Sequence, residues 1–169
     1  MITLHQASIP PCLRALASLA HVLAKGEAQC AARSIDPATL LQARLHPEMF
    51  PLVRQVQIAC DTAVRLGARL AGMAPPSTPD TETNFAELQH RIAQVVAFLE
   101  ALQPEQFEGG ETRALEIPFG KAPLHLSGLG YLQGFAIPTL YFHVVTAYAI
   151  LRHNGVDIGK RDFLGDLTA

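Results

Sequence analysis

The sequence has no surplus of either charge: 13 lysines and arginines stand against 15 aspartates and glutamates in 169 residues. A formal charge of −2 leaves nothing with which to neutralise a row of phosphates, so composition speaks against nucleic-acid binding. Cysteine is scarce as well. Cys12, Cys30 and Cys60 are odd in number and far apart, which excludes a disulfide framework and zinc-motif spacing. Free thiols of this kind fit a reducing compartment, and a cytoplasmic location is expected. HExxH, CxxC, a glycine-rich phosphate loop and GxSxG are all missing, which removes the enzyme classes those motifs mark. No unbroken run of about 18 apolar residues occurs, and MITLHQASIPP lacks the charged start and apolar core of a signal peptide. Neither a membrane nor a nucleic acid is therefore expected as a partner.

What remains is 49% hydrophobic and 17% charged residues, the composition of a globular chain long enough for one domain, taken as 1–169. Four long helical segments stand out. The first runs from about Thr3 to about Lys25, striped by Leu13, Leu16, Ala20, Leu23 and Ala24, with Pro10-Pro11 either starting its regular part or kinking it. Asp36-Pro37 opens a short helix, an N-cap followed by proline. The second long helix runs from near Met49 to Gly72, with Met49, Val53, Val56, Cys60, Val64, Gly67 and Ala71 on one face. The proline-rich stretch MAPPSTPDTET reads as a connector between helices.

The third helix opens at Asn84, with Glu87 three residues on as a capping-box-like pair, and carries Phe85, Leu88, Ile92, Val95, Val96 and Leu99. Residues 111–127 alternate at Leu115, Ile117 and Phe119 and again at Leu124 and Leu126, which predicts a short β-hairpin lying on the helices. The last helix follows, with Pro138 in its first turn and Asn154-Gly155 at its end. The tail is expected to be ordered through Ile158, Phe163 and Leu164 and frayed at its end. The pattern predicts an all-α antiparallel four-helix bundle with a small β-hairpin before the last helix.

One residue breaks the pattern. Leu140, Val144, Ala147, Ile150 and Leu151 form the apolar face of the last helix, and His143 falls inside it. An imidazole turned into a core must find a partner, because an unpaired buried polar group costs about 1–3 kcal/mol. A core hydrogen bond, a metal or a ligand would each serve. Thr139 and Thr146 flank it on the same side. On the second helix Asp61, one turn beyond Gln57, is placed to meet His143 with it across the bundle; the alternative for Asp61 is an i,i+4 pair with Arg65. His143, Asp61, Gln57, Thr139 and Tyr148 are the candidate ligand-binding residues, and His143 with Asp61 the candidate metal ligands. His153 suits a helix C-terminus and His46 a surface turn. His5, His21, His90 and His125 have no partner at ligand spacing. Cys60 reads as a small buried hydrophobe.

At LHPEMFPLVRQVQIACDTA and FAIPTLYFHVVTAYAILRHNGVDIGKRDFLG the chain resembles an uncharacterised bacterial family within the superfamily of DinB/YfiT-like helical bundles, over nearly its whole length. The resemblance implies an up-down-down-up four-helix bundle, often a homodimer. It also implies a divalent metal, zinc or nickel, on three histidines: one on the second helix and two spaced four apart on the fourth. Here His143 matches the later of that pair, while Thr139 stands four residues before it and Gln57 and Asp61 are the polar residues of the second helix. One imidazole and one carboxylate would hold such a metal weakly. Three functions are carried forward. The first is a small-molecule-binding bundle with an incomplete metal site, the second a metal-dependent hydrolase or thiol-dependent transferase, and the third a non-catalytic dimeric interaction module.

Overall fold

Capping chemistry sets the helix boundaries. The Thr3 hydroxyl accepts from the Gln6 amide while the Gln6 side chain accepts from the Thr3 amide, a box that fixes the start of α1 (Leu4–Arg33) upstream of Pro10 and Pro11. Both prolines therefore lie inside the helix rather than at its start. α1 also runs well beyond Lys25, because Gly26 is buried where Leu151, Leu40 and Phe85 close over it, and the helix ends only at Ser34 in the left-handed conformation.

Asp36 caps α2 (Pro37–Leu41), as its sequence requires. α3 (Leu52–Leu70) starts after Pro51, so Met49 lies in the preceding turn. Asn84 caps α4 (Phe85–Glu100) through the Glu87 amide, while the Glu87 carboxylate reaches back to the amide and hydroxyl of Thr83. A 3-10 turn (Pro104–Phe107) leads to the hairpin, β1 (Ala114–Ile117) paired antiparallel with β2 (Leu124–Ser127). Then come α5 (Gly128–Tyr131), a π turn (Leu132–Ala136), α6 (Ile137–His153) and α7 (Lys160–Leu164). The structure describes residues 2–165 of a computed structural model, and the expected fraying of the last residues lies outside them.

The chain is mostly helical. α3 packs against α1, α4 and α6, and α1 closes the set by packing against α4 and α6. The stripe read from the last helix is the one that is buried: Leu140, Val144, Ala147, Ile150 and Leu151 are all fully enclosed. α1 and the continuous stretch Gly128–His153 are long and apolar enough to cross a membrane by length and composition, with 18-residue mean hydropathies of 1.3 and 1.5. Here much of their apolar surface faces the other helices.

The hairpin register pairs Leu115 with Leu126 and Ile117 with Leu124, so one face is apolar and turned to the helices while Glu116 and His125 face outward. Arg113 ties it down by donating to the carbonyls of Leu70 and Arg69 at the C-terminal end of α3. The hairpin then re-enters helix at a backbone crossing. An added Cβ on Gly128 would sit 1.9 Å from the Gly110 carbonyl oxygen, and the Leu129 amide donates to Glu111 O at 3.0 Å. The π turn follows at once. The Ile137 amide bonds Leu132 O, and the widened turn accommodates Pro138, which has no amide to offer the carbonyl four residues back.

The Gly128 crossing involves main chain on both sides, so a methyl group there cannot be absorbed by a rotamer change. Gly128→Ala is expected to cost about 3 kcal/mol or more in urea unfolding, while Gly134→Ala, with open space at its Cβ position, should stay within about 0.5 kcal/mol of wild type. Equal stability of the two variants would refute the crossing.

Candidate functional site

His143 does find a polar partner, on a residue the helix pattern did not single out. Its Nδ1 lies 2.7 Å from Gln55 Oε1. Gln55 is 2% exposed, and its Nε2 donates to the Phe50 carbonyl at 3.0 Å. That second bond fixes the amide, because a carbonyl can only accept. Oε1 must then face the ring and accept, so Nδ1 carries the proton and Nε2 carries the lone pair. Nε2 has no hydrogen-bond partner among the described residues. Burial first, and the nearby Arg54 guanidinium second, push the His143 pKa below its ordinary 6.5, so the ring is neutral at pH 7. Phe142 stands edge-on to it at 5.2 Å between centroids and is 58% exposed. The result is a half-buried neutral imidazole with one nitrogen locked and the other able to accept a proton or a ligand's hydrogen bond.

Gln57 and Asp61 belong elsewhere. They line the opposite flank of α3, where they meet Arg91 of α4 and the connector. Arg91 is 2% exposed and donates to Asp61 at 2.6 Å and Glu82 at 2.9 Å, with Asp80 at 3.1 Å. Gln57 donates to Glu82 at 2.9 Å, and Arg54 bridges Gln57 and Asp80. Asp61 also takes Arg65 at 2.9 Å, the i,i+4 pairing left open by the sequence. Three arginines and three carboxylates balance in charge. Burial alone would raise the Glu82 carboxyl, but the bonds from Arg91 and Gln57 outweigh it and hold the group below the usual carboxylate range. This network pins the proline-rich connector between α3 and α4 onto both helices. The expected meeting of Gln57 and Asp61 with His143 is thus corrected, because both are held by the arginines on the other side of α3.

The remaining candidates divide. Thr139 returns its hydroxyl to the Phe135 carbonyl at 2.6 Å, inside the π turn. Tyr148 packs edge-on against Phe163 of α7 at 5.9 Å, about 140° around the helix from His143. The donors for a three-imidazole metal centre do not fit: the α3 residue facing His143 is an amide, and the residue four before it is a threonine bonded to backbone. Among the described residues no group of three His, Cys, Asp or Glu side chains is arranged to hold a metal ion. His21, which has no partner at ligand spacing in the sequence, remains 53% exposed and bonds Asp162 at 3.1 Å across 141 positions. Burial pushes the Cys12 and Cys60 thiols up to about 12, which suits packed hydrophobes.

A long-helix fold of this kind, with one imidazole at the α3–α6 contact, defines a DinB-like helical protein. The family model for the domain of unknown function DUF1993 matches residues 4–164, and the chain belongs to that family. It is also similar to a crystal structure of a DinB family member protein from Shewanella denitrificans, at 40% identity and a TM-score of 0.90, covering 98% of this chain and 94% of that one. No curated protein matches the chain.

Two variants probe the geometry. Gln55→Leu leaves Nδ1–H and the Phe50 carbonyl unpaired and should cost about 1–3 kcal/mol in denaturant unfolding. Because the folded ring takes a proton less readily than the unfolded one, the unfolded chain binds more protons just below pH 6.5. The His143 contribution is therefore present above that pH and is lost as pH falls below it. Wild type should lose stability relative to His143→Asn over that window, and the ring should titrate below 6.5 by NMR; a higher value contradicts the assignment. Arg91→Met leaves Glu82 without a cationic partner, takes one of two from Asp61 and from Asp80, and should cost about 3–5 kcal/mol, with new protease cleavage in the connector.

Proposed function

We propose that this chain is a small-molecule-binding bundle, up-down-down-up in arrangement, whose ligand meets His143 at Nε2, in a site that lacks the donors for a resident metal. The observation that carries the reading is the relay from Phe50 O through the Gln55 amide to Nδ1, which leaves an unprotonated nitrogen beside an exposed aromatic ring. Locking the second nitrogen to a carbonyl is how proteins orient an imidazole that works through its first.

Two buried glycines support the helix directions. Gly67, near the end of α3, lies against Leu99 and Leu102 at the end of α4 and against Ile9 near the start of α1. Gly26, towards the end of α1, lies against Phe85 at the start of α4 and Leu151 at the end of α6. These contacts suit α3 and α4 running one way and α1 and α6 the other. Phe142 and Val145, 58% and 47% exposed on α6, favour a second reading in which that face joins a homodimer; sedimentation of a monomer at micromolar concentration would remove it.

The test is a fragment screen by NMR on untagged protein, read at the His143 ring nitrogens. Hits that perturb Nε2 and lose affinity in His143→Gln support the reading; hits whose affinity is unchanged in that variant overturn it. Elemental analysis is expected to find less than about one-tenth equivalent of zinc or nickel. A full equivalent that disappears in His143→Gln would instead favour the metal-dependent hydrolase or transferase.

A further inference from the structure

The groove between α1 and α7 has a volume of 760 Å³, within the range of ligand sites, and lies apart from the residues that hold His143. It follows α1 from Pro10 to His21, about 16 Å of helix. Its walls are apolar, from Leu13, Ala17 and Leu164, and its charged side chains are Arg14, Arg161 and Asp162. Arg14 and Arg161 both line it, and neither guanidinium has an ion-pair partner among the described residues. Asp162, the one carboxylate there, is already taken: Lys25 donates to it at 2.5 Å, His21 at 3.1 Å and the Gly159 amide at 2.7 Å. Among the described residues the unpaired charge in the groove is therefore positive.

We propose that the α1–α7 groove binds a free amphiphilic carboxylate, with its acyl chain on Leu13, Ala17 and Leu164 and its head group held by Arg14 and Arg161. Guanidinium groups suit a carboxylate because their paired donors match its two oxygens. The experiment is calorimetric titration of the full chain with decanoate below its micelle concentration. Decanoate should bind one per chain, and decyltrimethylammonium at least about tenfold more weakly. The Arg14→Gln/Arg161→Gln double variant should weaken decanoate binding by about tenfold or more, and NMR shifts should map to α1 and α7. His143→Gln should bind decanoate as wild type does, which separates this site from the one proposed above. Absence of binding, equal binding of the cation, undiminished affinity in the double variant, or association only with phosphatidylglycerol vesicles would overturn it.

Discussion

α3 touches all three of the other long helices, and it carries polar groups into two of those contacts. Gln55 and Gln57 have to be satisfied where they land, because both are buried once the helices close, while Asp61 stays at the rim. Gln55 answers to α6, and Gln57 with Asp61 answers to α4. The two flanks solve the same problem differently. Towards α6 a neutral chain of carbonyl, amide and imidazole needs no counter-ion. Towards α4 a buried guanidinium meets three carboxylates, and Arg54 and Arg65 bring the charges into balance. The neutral side leaves a nitrogen available for recognition; the ionic side is consumed in holding the connector.

That division lets the α3–α6 contact hold its shape on hydrogen bonds among the protein's own groups. The imidazole is oriented by glutamine, which supplies a hydrogen bond rather than a negative charge. A neutral partner does not make the ring more basic, and burial makes it less so. The ring is thus set up as an acceptor at neutral pH, a property of the pairing that does not depend on a bound ion.

The sequence made the helices, their caps and the hairpin legible, because each rests on local chemistry. Asp36-Pro37, Asn84, and the alternation of Leu115 and Ile117 against Leu124 and Leu126 all read directly. Inward placement of His143 was also legible from its neighbours. Its partner was not. Gln55 and Gln57 are two residues apart and project to different flanks of α3, and only the tertiary phase decides which one faces α6. Arg91 sat in view within the apolar stripe of α4, three residues after Leu88, and a charge in that position was the available signal for the network. The reach of α1 past Lys25 and the His21–Asp162 pair depend on contacts made by distant segments, which no local pattern encodes.

The π turn before α6 has a consequence for how this helix can vary. It holds one residue more per turn than the windings on either side. Removing a single residue from 132–136 would restore regular winding and leave the phase downstream almost unchanged, because five residues of π winding and four of α winding each complete about one turn. The imidazole would stay on Gln55 and the apolar stripe in the core. A deletion further along α6, where no wide turn can absorb it, would instead rotate the rest of the helix by about 100°. The π turn is therefore the one place in this stretch where the chain can change length by a residue and keep the same face towards its neighbours.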